Sequence, residues 1–123
     1  MKAFLNHFTD FVEDIQSVFP DNVDIDSAKT ALFLVKKSNP RILMNAWCTY
    51  IAERYADQID KGDIGFFIDK DYTHDLEYMG NAVMQKVDTL REPIREMGVD
   101  NQAKSMKYIQ NLTKLAKLYG ELE

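Results

Sequence analysis

Cys48 is the only cysteine in the chain, which excludes an internal disulfide and any cysteine-based metal cage supplied by one molecule. His7 and His74 are the only histidines, and neither has a second histidine at helical ligand spacing. Three prolines and five glycines among 123 residues, with 46% hydrophobic residues, exclude a fibrous or disordered composition and leave an ordinary globular one. Long apolar runs are also missing. The longest nearly uninterrupted one, Ala31 to Val35, is five residues, far short of the roughly 20 that cross a bilayer, so no membrane association is expected. The N-terminal segment Met1 to Phe8 has no continuous apolar stretch and is followed by Asp10, Glu13 and Asp14. This argues against a secretory signal and for an intracellular protein. A formal net charge of −5 opposes general affinity for polyanions.

What is present is helical periodicity. Phe4, Phe8, Phe11, Val12, Ile15, Val18 and Phe19 recur at spacings of three and four, predicting an amphipathic helix over about 2–18 that Pro20 ends. Acceptors in Asp21 to Ser27 predict the start of a second helix running to about Lys37. Its middle, Ala31 to Val35, is apolar on nearly all sides, which places it centrally in a bundle. Asn39-Pro40 predicts a cap and a first helical position, with a third helix from Pro40 to about Ile59 and a stop at Lys61-Gly62. Leu76, Met79, Gly80, Val83, Val87 and Leu90 hold one phase. They predict a fourth helix from near Thr73 or Asp75 to about Leu90, bent or restarted at Pro93. Gly98 then breaks the chain, Asp100 caps a last helix over about 101–119, and Gly120 ends it. The expectation is a single all-α domain spanning residues 1–123, a compact bundle of about five helices, with a short aromatic connector between helices three and four.

That connector, Gly62 to Asp75, carries Ile64, Phe66, Phe67, Ile68 and Tyr72 between carboxylates. Alternating Asp69, Asp71, Thr73, Asp75 and Glu77 suggest calcium ligands. An EF-hand loop needs Gly at its sixth position and Glu at its twelfth, however, and these are His74 and Gly80 here. Carboxylates near a helix N-terminus are the simpler account. A carboxylate-based metal hydrolase over Asp57 to Glu77 is a minor third possibility. The apolar residues suit a plug over the bundle core; alternatively Phe66, Phe67 and Tyr72 are anchors for a partner. No nucleophile elbow, zinc-protease motif or Gly-rich phosphate loop occurs, and Cys48 has no histidine near it in sequence. No enzymatic activity and no cofactor are therefore expected.

The last helix is strongly two-sided. Lys104, Lys107, Gln110, Asn111, Lys114 and Lys117 lie on one side, and Met106, Ile109, Leu112, Leu115, Ala116 and Tyr119 on the other. Between Asn101 and Tyr119 there are four lysines and no acid, against seven acids and two lysines from Asp57 to Glu77. A solvated face explains such a row. The functional alternatives are an acidic protein surface, including another copy of the chain, or nucleic acid through Lys104, Lys107, Lys114 and Lys117. With no arginine in the row, the fork geometry for reading bases is missing.

Three stretches, Lys36 to Leu43, Lys61 to Leu76 and Met106 to Leu115, together resemble small helical proteins of unassigned function encoded by large DNA viruses, particularly those infecting algae. The resemblance spans most of the chain from Phe19 onward. It implies a viral protein that acts in an infected cell or is packaged in a virion, and it carries over no functional residue. Residues and resemblance together predict a non-enzymatic interaction or structural module, with nucleic-acid association as the alternative.

Overall fold

The computed structural model describes residues 2–68 and 81–121, without the side chains of 120 and 121, and all regular structure among them is helical. Helix α1 spans Lys2–Val18 and buries Phe4, Phe8, Phe11, Val12 and Ile15 on one face. The chain turns ahead of Pro20, and Asn22 starts α2 (Val23–Ser38) by accepting from the amides of Asp24 and Ile25 at 2.9 and 3.1 Å. Lys36 and Lys37 occupy the last turn of α2, where the exposed carbonyls favour cations. Only Ile25, Ala28 and Leu32 of α2 are fully buried, and Leu34 is 66% exposed. This corrects the expected central position. The apolar run Ala31 to Val35 covers more of the helix than its neighbours α1, α3 and the later helix Ala82–Asp88 enclose, so α2 buries one face only.

Asn39 caps α3 (Pro40–Trp47) through the amide of Ile42 at 3.4 Å, with Pro40 in the first turn. The expected continuous helix to Ile59 is not formed. After Trp47 the backbone widens into a π-helical segment, Cys48–Ala52, closed by the amide of Glu53 on the carbonyl of Cys48 at 3.0 Å. It then breaks at Tyr55 and restarts as α4 (Ala56–Asp60). Sequence spacing supplies the reason. Trp47, Ile51, Tyr55 and Ile59 are all buried and stand four apart, so in an unbroken α-helix each would drift by about 40° from the last. The wider turn and the break absorb that drift and keep all four inside. At the end of α4, Gly62 adopts φ +72°. Its amide bonds Ile59, and that of Asp63 bonds Gln58, at 3.0 and 2.9 Å; the paired bonds are those of a Schellman stop.

Asp63 accepts from the amide of Gly65 at 2.9 Å and opens α5 (Gly65–Ile68). The start expected for the fourth helix lies outside the described residues. Among the described residues a helix begins at Ala82, where Asn81 is extended and accepts from the amide of Met84 at 3.1 Å. Helix α6 is therefore Ala82–Asp88, and α7 is Arg91–Glu96. The break falls at Thr89 and Leu90, and Pro93 sits in the first turn of α7, where a missing N–H is tolerated. The last helix, α8 (Val99–Glu121), begins two residues earlier than expected, with Gly98 accepting from the amide of Gln102 at 3.0 Å. Asp100 lies in its first turn instead of capping it, and the helix continues through Gly120.

The buried residues of all these elements form one core cluster. Trp47 is buried in it, edge-on to Phe8 and Phe11 at ring distances of 6.3 and 6.4 Å. Its indole N–H donates to the buried Thr113 hydroxyl of α8 at 3.2 Å. Helices α1 and α8 run antiparallel beside it, Asp14 meeting Lys104 while Phe11 and His7 meet Tyr108.

Gly62→Ala should destabilise the fold by about 1–2 kcal/mol, the cost of a left-handed residue with a Cβ. The nearest atom to an added Cβ is the Gln110 amide nitrogen at 3.7 Å, so crowding adds nothing. Urea unfolding measures the difference, and an unchanged midpoint would contradict the backbone assignment.

Candidate functional site

Helix α8 is held from inside by Ser105, Met106, Ile109, Leu112, Thr113 and Ala116, all buried. The helical repeat then turns Lys104, Lys107, Lys114, Lys117 and Leu118 outward, and all five are exposed. Gln110, on the flank toward α4, donates to the carbonyl of Ile59 at 2.9 Å and ties the two helices. A shallow polar hollow on that flank is lined by Asp60, Gln110, Lys114 and Lys117 among others, so Asp60 tempers the positive charge there.

The four lysines are not equivalent. Lys104 is 57% exposed yet bonded to Asp14 of α1 at 2.7 Å, across ninety residues of sequence. The hydrogen bond to Asp14, and then that carboxylate's charge, hold the Lys104 ammonium above its ordinary pKa. Lys107 and Lys114 form no ion pair with another described residue. The sequence row is therefore a clamp residue followed by exposed cations.

On the α1 side of the row, an open cavity of about 240 Å³ is lined by His7, Lys104, Lys107, Tyr108 and Asn111. The His7 and Tyr108 rings are 4.9 Å apart and tilted by 43°, and Tyr108 continues onto Phe11 at 5.7 Å. Nε2 of His7 is closed off from solvent and has no hydrogen-bond partner among the described residues, an arrangement that costs about 1–3 kcal/mol when nothing else compensates. In the sequence His7 is only a histidine without a ligand partner, and Tyr108 stands out on neither face of its helix. His7 lies among the phenylalanines of α1 and Tyr108 beside the lysines of α8, and only the antiparallel pairing of the two terminal helices brings them together.

The aromatic connector has a different role from the anchors considered for it. Phe66 and Phe67 are 6% and 2% exposed, packed on Tyr55 at 5.1 Å and on each other at 6.1 Å. Arg95 of α7 donates to the carbonyl of Ile68 and closes the segment. These two rings are core groups and offer no surface to a partner. Tyr72 lies outside the described residues, as do Asp69, Asp71, Thr73, His74, Asp75 and Glu77. Among the described residues no three His, Cys, Asp or Glu side chains converge as metal ligands, and no helix is long and apolar enough to cross a membrane. Cys48 is half-buried in the π segment. Burial, then the charge of Glu53, raise its thiol pKa, and Lys117 opposes them; the thiol is thus kept protonated, the reverse of an activated nucleophile.

The Asp14–Lys104 pair makes a direct prediction. A raised folded-state pKa means that the pair's contribution is fully present below the ordinary lysine range and is lost as pH rises through the folded value. In Asp14→Asn, the Lys104 side-chain resonance should therefore titrate at lower pH than in the native chain. Coincident titration curves would show that the pair does not persist in solution.

No protein-family model, curated protein or solved structure matches this chain.

Proposed function

We propose that this chain is a non-enzymatic helical interaction module that binds an acidic protein surface through the outer face of α8. The observation that supports this most is Leu118, which is 54% exposed one helical turn beyond Lys114. A large apolar side chain set among exposed lysines is the mixed composition of a protein contact, in which charges steer the approach and an apolar contact supplies affinity. Lys107, Lys114 and Lys117 are exposed on this face, while its other side is fixed in the core. The face therefore requires no rearrangement to be presented. A second copy of the chain, itself net acidic, is one form such a partner takes. The likeness to viral proteins would place the module in an infected cell or a virion.

One feature favours nucleic acid as a second reading. Tyr108 is a half-buried ring with Lys104 and Lys107 on the same lining, and rings among cations suit a stacked base of a single strand. Leu118 separates the two. For an acidic protein partner, recovered by affinity capture and then titrated by calorimetry, Lys107→Glu with Lys114→Glu should weaken binding by about tenfold or more, and Leu118→Ser by a comparable factor. Steeply salt-dependent binding to a short oligodeoxythymidine that the lysine variant loses and Leu118→Ser retains would assign the face to nucleic acid. Light scattering on the same proteins reports self-association.

A further inference from the structure

The cavity between α1 and α8 combines rings, cations and unused hydrogen-bonding groups in one place. From it we infer a binding site for a small aromatic anion, a planar ring bearing a phosphate or carboxylate group. This site shares Lys107 with the partner face above, but Lys114, Lys117 and Leu118 take no part in it.

Its walls suit a ring. His7 and Tyr108 are tilted by 43° and so do not cover each other face to face. Lys104 and Lys107 add their carbon stems to this lining. A planar group against these surfaces gains area burial and ring contacts. Its charge suits an anion. Two ammonium groups stand at the lining, and Asp14 compensates the one it bonds at 2.7 Å, which leaves Lys107 to meet the ligand. Asp10, four residues before Asp14 on α1 and exposed, lies on the same side of that helix by spacing and limits the total negative charge the site accepts.

Two polar groups lack employment. Asn111 lines the cavity and its side chain makes no hydrogen bond with another described residue, so its side-chain amide is available to a ring substituent as donor or acceptor. His7 Nε2 has no partner, and a ligand that parts the His7–Tyr108 contact gives it one. Size sets the upper limit. At about 240 Å³ the cavity lies below the range of about 300–1,000 Å³ typical for drug-sized ligands, so it holds a single ring with one anionic group and excludes a dinucleotide.

Titration of the full chain with phenyl phosphate, followed by calorimetry and by the His7 and Tyr108 ring resonances, tests this. Phenyl phosphate should bind saturably and about tenfold more tightly than inorganic phosphate or phenol, which each carry half of the recognition. Lys107→Gln, an exposed change that leaves the fold intact, should weaken it by about tenfold. Tyr108→Leu, checked by thermal melting, should bind phenyl phosphate no better than phosphate. Benzoate binding more tightly than phenyl phosphate identifies a carboxylate ligand and supports the site. Equal affinity for phenyl phosphate and phosphate, resonance shifts centred elsewhere, or an unchanged affinity in Lys107→Gln would overturn it.

Discussion

The burial of Trp47 is the constraint on which the rest of this structure depends. Its ring meets Phe8 and Phe11 of α1 edge-on, and its N–H reaches the Thr113 hydroxyl of α8. A single side chain of α3 thereby fixes the rotation of both terminal helices. Truncating a buried tryptophan costs about 3–5 kcal/mol in typical cores, against a total stability of about 5–15 kcal/mol for a domain. The polar bond matters for a separate reason. An indole N–H inside an apolar core would be costly without an acceptor, and Thr113 supplies it only when α8 is in one rotational setting.

That setting determines what the surface presents. With Thr113 inward, Lys107, Lys114 and Leu118 must face out, and Tyr108 falls at the α1 border beside His7. The π segment after Trp47 belongs to the same constraint. It lets Ile51, Tyr55 and Ile59 remain inside after Trp47 is placed, and it brings α4 to where Gln110 can bond Ile59. The basic face and the cleft beside it are thus the outer side of one packing arrangement.

Local chemistry made much of this legible. The extent of α1, a helix start within Asp21 to Ser27, the Asn39 cap, the stop at Gly62 and the two-sided last helix all follow from side-chain spacing and backbone preference within a few residues, and the structure has them. The places that differ depend on neighbours. Nothing in Ala31 to Val35 tells how many helices will cover that run, so α2 looked central and buries one face only. A spacing of four from Trp47 to Ile59 is compatible with a long helix until all four residues must be buried together. Four lysines were visible in the sequence, but the capture of Lys104 by Asp14 and the meeting of His7 with Tyr108 arise from pairing the two ends of the chain. Phe66 and Phe67 illustrate the same limit: whether an aromatic connector plugs a core or anchors a partner is decided by what surrounds it, and here Tyr55 and their own contact bury them.

Hydrogen exchange at the Trp47 indole and along α8 tests this account most directly. If Trp47 fixes the helix, its indole hydrogen and the amides of Ile109 and Leu112 should exchange only through global unfolding, with one common free energy. Exchange of the indole hydrogen, or of those α8 amides, at a free energy well below that of α1 would show that α8 detaches on its own, and would contradict the account.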